Sequence, residues 1–160
     1  MARKLIIDTN LLLLLVIGSL EGGRFIRVSK RLKKFADADY RKVLAIIAEH
    51  DEVHITPYIA TEISNLIDLT GPAYHSALAV AGQLFAMFPQ VESDIHTDSC
   101  GEHFLRFGIT DNSLIQLASD HFILTDDHRM LGPLFASQPA NIIPYTLACP
   151  PPDSKIKTIT

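Results

Sequence analysis

The chain has 160 residues, 48% hydrophobic and 20% charged, a size and balance that suit one domain with a large buried core and exclude extended disorder. The formal net charge of −4 excludes a uniformly basic nucleic-acid binder. Two cysteines, Cys100 and Cys149, exclude a disulfide framework and fit a reducing, cytoplasmic setting.

In chain order, residues 3–8 read as a short buried strand that closes on Asp8, and 10–20 as a buried helix running to Gly22-Gly23. The apolar run Leu11 to Ile17 is too short to span a bilayer, so no membrane partner is expected. Arg3 and Lys4 before it resemble the start of a secretory leader, but Asp8 and Asn10 fall where the leader's core would be, and no Ala-x-Ala site follows. Residues 24–35 read as a basic amphipathic helix. Arg24, Arg27, Lys30, Arg31, Lys33, Lys34, Arg41 and Lys42 make up eight of the chain's 14 basic residues, against Asp37 and Asp39 in the same stretch. Such a patch on an acidic chain can steer a polyanion; a solvated helix face is the plainer alternative.

"DADYRKVLAIIAEH" predicts a helix with a capping Asp and with Tyr40, Val43, Leu44, Ile46 and Ile47 at helical spacing. "EVHIT", 52–56, predicts a strand. Pro57 opens a helix over 57–69 that lines up Ile59, Ile63, Leu66 and Ile67. Gly71-Pro72 breaks the chain, residues 73–88 form a helix ended by Pro89, and 90–99 divides between an edge strand and a loop. Residues 101–107 give one or two helical turns, 111–119 a helix opening at Asp111, and 121–125 a strand. A helix over 127–136 is interrupted at Gly132-Pro133, 141–146 is the last strand, and 149–160 is an extended or disordered tail on a single domain of residues 1–148. Short apolar strands alternating with helices predict a three-layer α/β/α fold with a central, mostly parallel sheet. Ligands of such sheets gather at the carboxyl ends of the strands.

Those ends carry acids. Asp8 closes the first strand, Glu62 lies one turn into the helix after 52–56, Asp111 opens a helix after "FGIT", and Asp126 and Asp127 follow 121–125. A lone carboxylate in an apolar run such as "KLIIDTNLLLL" is costly unless paired or bound. Each acid has an ordinary reading too: Asp8 or Asn10, Asp111, and Asp126 or Asp127 as helix caps, Glu62 as a solvated side chain. Together, on four successive β–α junctions, they predict one anionic cleft. Crowded carboxylates raise one another's pKa, and Mg²⁺ or Mn²⁺, which prefer oxygen ligands, relieve the repulsion. Such clusters serve phosphodiester hydrolysis. His128 and Arg129 follow the fourth acid and could touch a phosphate; residues so placed more often face solvent. His50, His54, His75, His96, His103 and His121 are scattered without metal-ligand spacing and read as structural or surface residues.

Four segments, "LIIDTNLLL", "ITPYIATEISNLI", "GITDNSLIQLA" and "FILTDDHRML", resemble in order the acid-bearing motifs of the PIN-domain nucleases and span residues 4–131. The resemblance implies metal-dependent endonucleolytic cleavage of single-stranded RNA, frequent homodimers, and a toxin role opposed by an antitoxin protein. It implies that Asp8, Glu62 and Asp111 hold a first Mg²⁺ or Mn²⁺ ion directly or through water, with Asp127 supporting it or a second ion and Asp126 at a variable position. Thr9, Asn10 and Thr125 would then orient the carboxylates. Lys30, Arg31, Lys33, Lys34 and Arg129 are candidate substrate contacts. The span from Asp8 to Glu62 exceeds that of compact toxin members, and the excess coincides with 24–35, a candidate substrate arm or lid.

Rival chemistries fit less well. A phosphoaspartate enzyme needs a second Asp where Asn10 stands, a receiver domain needs paired acids early and a late Lys, and no Gly-x-x-x-x-Gly-Lys stretch occurs. The remaining alternatives are a non-catalytic PIN-like module that binds RNA or protein, and a nuclease acting on DNA.

Overall fold

The computed structural model describes residues 1–148, so the tail expected over 149–160 lies outside the described residues. Four parallel strands, β1 (Lys4–Ile7), β2 (Glu52–His54), β3 (Phe122–Thr125) and β4 (Ile142–Pro144), form one sheet in the order β2-β1-β3-β4. In register, Leu5 pairs with Val53 on one side and Phe122 on the other, and Leu124 pairs with Ile143. Helices cover the sheet in a three-layer α/β/α arrangement, and Leu5, Ile6 and Ile7 of the inner strand are essentially inaccessible, as a sheet buried on both faces requires.

The apolar run after Asp8 becomes α1 (Thr9–Gly18), in which Leu11 through Gly18 are all buried. A helix apolar all round belongs inside; α1 packs against α2 (Asp37–Ala48), α3 (Pro57–Leu66) and α4 (Gly71–Met87). The chain continues through α5 (Ile95–Asp98), α6 (Glu102–Phe107), α7 (Ile109–Leu117) and α8 (Leu131–Ser137). From β1 it crosses to β2 on one side, then passes back over β1 to β3 on the other. The loops after β1 and β3 therefore diverge, and the crevice between them is where open parallel sheets place ligands.

Several elements depart from expectation. No helix forms over 24–35. The segment makes a 3₁₀ turn, Glu21–Ile26, with Gly22 and Gly23 at φ of 66° and 86°, and then irregular turns. The φ at Gly23 is what calls for glycine; a Cβ there would stand 2.7 Å from Asp37 Oδ1, the tip of an exposed side chain that can swing aside. Farther on, the Asp68 carboxylate accepts hydrogen bonds from Ser29 Oγ (2.6 Å), Lys30 N (2.8 Å) and Arg31 N (3.2 Å). Backbone donors taken by a remote carboxylate are withheld from a helix. Asp37 does not cap α2; the N-cap is Ala36, whose N–H donates to the Asp39 carboxylate at 2.8 Å. Gly71 and Pro72 begin α4 rather than precede it, and residues 90–99 contribute one bridge, Ile55 to Gln90, and α5. Helix α7 starts at Ile109 behind Gly108, two residues before Asp111. Gly132 and Pro133 sit in the first turn of α8, where a missing N–H costs nothing.

Candidate active site

The cleft at the ends of β1 and β3 holds about 300 Å³, within the range of small-ligand sites. Asp8, Glu62, Asp111 and Asp127 all line it, with Thr9, Asn10, Thr110, Arg129 and an apolar wall of Leu66, Phe107 and Met130.

Asp8 is both the cap of α1 and a wall of the cleft. Its Oδ1 accepts from Leu11 N at 3.2 Å, and its Oδ2 accepts from Thr125 Oγ1 at 2.5 Å and Asp126 N at 3.0 Å. Burial, with Asp126 adding like charge, pushes its pKa up to about 8 against these hydrogen bonds. Glu62 reaches the cleft from α3 and is gripped at both oxygens, by Thr9 Oγ1 and by Thr110 Oγ1, each at 2.6 Å. Asp111 stands in the first turn of α7, half-buried. Burial first, then the charges of Asp127 and Glu62, push its pKa up to about 6, with Arg129 opposing. It is not the helix cap, so the capping explanation does not account for it.

Asp127 caps the turn His128–Met130 and is clamped by Arg129: Oδ1 accepts from Arg129 N and Nε, both at 3.0 Å, and Oδ2 accepts from Nη2 at 2.6 Å. The guanidinium hydrogen bonds hold the Asp127 carboxyl below its ordinary range. Asp126, in contrast, is turned away from the cleft lining. It is buried, and the Lys34 ammonium forms an ion pair with it. Neither Asp126 oxygen receives a hydrogen bond of ordinary geometry from the described residues.

The orienting groups are partly as expected. Thr125 serves Asp8 and also accepts from Asp127 N at 3.0 Å, while Thr9 serves Glu62 across the cleft. Asn10 is exposed on the cleft wall and, among the described residues, bonds no carboxylate. Thr110 was not expected; its only sequence signal is a hydroxyl directly before the third acid. Of the basic candidates only Arg129 lines the cleft. Lys30, Arg31 and Lys33 are exposed on the segment before α2, and Lys34, lying over the Phe35 ring, is committed to Asp126.

The side chains of the lining that can ligate a cation offer oxygen, from four carboxylates, the hydroxyls of Thr9 and Thr110 and the amide of Asn10, which suits a hard divalent cation. It is not a closed cage: among the described residues no group of three or more His, Cys, Asp or Glu side chains is arranged to grip an ion directly. Mg²⁺ keeps several of its waters in most protein sites, so an open ring of acids suits it by chemistry. No family model matches the chain, and no curated protein matches it at a significant level. Among the described residues no helix is long and apolar enough to cross a membrane.

Proposed function

We propose that the chain is a metal-dependent nuclease of the PIN-domain type that hydrolyses phosphodiester bonds of single-stranded RNA in this cleft. One observation carries the reading: Asp8, Glu62, Asp111 and Asp127, from four separate elements, line one crevice at the switch point of the sheet. Burial first, and then the like charges of Asp127 and Glu62, drive Asp111 toward its protonated form, and a cation would relieve the repulsive part.

In this reading Asp8, Glu62 and Asp111 hold Mg²⁺ or Mn²⁺ through the ion's own waters, and Asp127 supports them. Bound there, the ion would supply the positive charge that acidifies an attacking water and stabilises the leaving oxygen. The rest falls to the chain. Thr9 and Thr110 fix Glu62, and Thr125 fixes Asp8 and the backbone of Asp127, so the negative groups are positioned before substrate arrives. Phe107 and Leu66 offer a flat apolar wall for a base, and Arg129 offers a guanidinium to a phosphate at the mouth. Lys30, Arg31 and Lys33 would extend the track for the RNA backbone. In a toxin role the chain would act in the cytoplasm, and its protein partners would be a small antitoxin and a second copy of itself.

The test is cleavage of a fluorescent single-stranded RNA in Mg²⁺ or Mn²⁺, run beside a single-stranded DNA, with and without EDTA. Cleavage is expected to stop on chelation and in Asp8→Asn and Asp111→Asn. Cleavage that persists in all three conditions ends the proposal. The clamp of Arg129 on Asp127 favours a second reading, a cleft that binds RNA without cutting it. RNA binding with no product in either metal selects that reading.

A further inference from the structure

Two histidines outside the lining of the acidic cleft, without metal-ligand spacing in the sequence, meet across the sheet. His54 ends β2, His121 immediately precedes β3, and β1 runs between those strands. Their rings stand edge to face with centroids 5.1 Å apart. Each ring has a carboxylate on its far nitrogen. Glu52 Oε2 is 2.6 Å from His54 Nε2, and Asp120 Oδ1 is 2.9 Å from His121 Nδ1. The two remaining nitrogens, His54 Nδ1 and His121 Nε2, face each other at 3.2 Å.

Proton bookkeeping makes this pair unusual. An ionised carboxylate only accepts, so Glu52 and Asp120 each draw the N–H of their ring to the outer nitrogen. In two neutral rings the facing nitrogens then both present lone pairs, which cannot bond to each other. A cation between them satisfies both. Carboxylates on the outer nitrogens fix tautomer and ring orientation and raise basicity, which is how proteins prepare histidine as a metal ligand. The spacing also suits an ion: at ordinary Zn–N lengths of about 2.1 Å, nitrogens 3.2 Å apart subtend about 100°, near the tetrahedral angle.

We propose that His54 Nδ1 and His121 Nε2 form a two-histidine site for a nitrogen-preferring divalent metal, Zn²⁺ or its neighbours Ni²⁺ and Cu²⁺, that clips β2 to the start of β3. No third His, Cys, Asp or Glu among the described residues joins them, so water completes the coordination. The rings are nearly buried, with 12% and 6% of the side chains exposed, while Glu52 and Asp120 are 45% and 69% exposed, so the network reaches solvent at its ends. Imidazole ligands discriminate against Mg²⁺, which separates this site from the acidic cleft. The competing occupant is a single shared proton.

The test is thermal unfolding of the full chain at pH 7.5 with Zn²⁺ and with Mg²⁺. Zn²⁺ at about ten times its Kd should raise the midpoint by about 3–6 °C, and Mg²⁺ should not reproduce that shift. His54→Ala and His121→Ala should each abolish the zinc response. Because either variant could unfold, imidazole ¹⁵N NMR of the unmodified chain supplies the second measurement. Zinc should move His54 Nδ1 and His121 Nε2 while the outer nitrogens keep their protons. No movement at those two nitrogens overturns the site and leaves the pair to its proton. A zinc response lost in Asp111→Asn but kept in His54→Ala belongs to the acidic cleft and also overturns it.

Discussion

The acidic cleft and the basic segment before α2 are built by opposite means. The cleft draws its carboxylates from four distant positions, and three threonine hydroxyls fix two of them, Glu62 and Asp8, through bonds of 2.5–2.6 Å. The basic segment is contiguous, yet its shape is set from outside, by the single carboxylate of Asp68 and by the burial of Ile26, Leu32 and Phe35. Its charges divide accordingly. Lys30, Arg31 and Lys33 face solvent, while Lys34 turns in to neutralise the buried Asp126 beside Asp8. A stretch that looks uniform in charge thus does two jobs, and its last lysine belongs to the foundations of the cleft.

The sharpest way to separate the regions is Asp111→Asn. It removes charge from the cleft without touching a cap or a hydrogen bond of the described residues, so turnover on RNA should fall at least about 100-fold, some 3 kcal/mol of barrier, with an unchanged circular dichroism spectrum. A folded but fully active variant would detach Asp111 from the chemistry. Lys34→Ala should come next. It leaves the Asp126 carboxylate buried beside Asp8 without its ion-pair partner, and about 2–3 kcal/mol of stability should be lost in urea unfolding. Asp68→Ala should cost less, about 2 kcal/mol, because the donors it releases can turn to water.

What was legible in the sequence follows the same division. Strands β1 and β3 and their acids announced themselves because a strand end next to a helix start fixes where Asp8, Asp126 and Asp127 must emerge. The choice between Asp126 and Asp127 rested on the resemblance alone; in the fold Asp127 stands in the cleft lining and Asp126 does not. The helix expected over 24–35 failed because Asp68, far along the chain, claims its backbone donors. The contact of His54 with His121 failed for a related reason: sequence spacing says nothing about two rings that meet over an intervening strand.

Titration gives a smaller effect. In the metal-free protein Asp111 and Asp8 have folded-state pKa values raised to about 6 and about 8, above their unfolded values. The folded state therefore keeps protons that the unfolded chain has released. The resulting stabilisation is complete below about pH 4 and is lost as pH rises through about 6 and then about 8. Asp111→Asn should remove the first of these steps and leave the variant about 1–2 kcal/mol more stable than the parent near pH 7, the figure discounted for the partial exposure of Asp111. Unfolding midpoints of parent and variant across pH 4–9 check it; parallel curves would mean that Asp111 does not titrate near 6.

The smallest effect should come from the exposed half of the basic segment. Replacing Lys30, Arg31 and Lys33 by Gln removes three charges from exposed side chains outside the lining of the acidic cleft, so the chemical step should be untouched. If those charges neutralise RNA phosphates, each contributes about 0.7 to the slope of log K against log salt, and the triple variant should flatten that slope by about 2. Lys34 is left in place in that variant because its loss would also loosen Asp126, and a stability change would then masquerade as a binding change. An unaltered slope in the triple variant would assign the three charges to a solvated face. The cleft would then have to bind its substrate through Arg129 and the apolar wall alone.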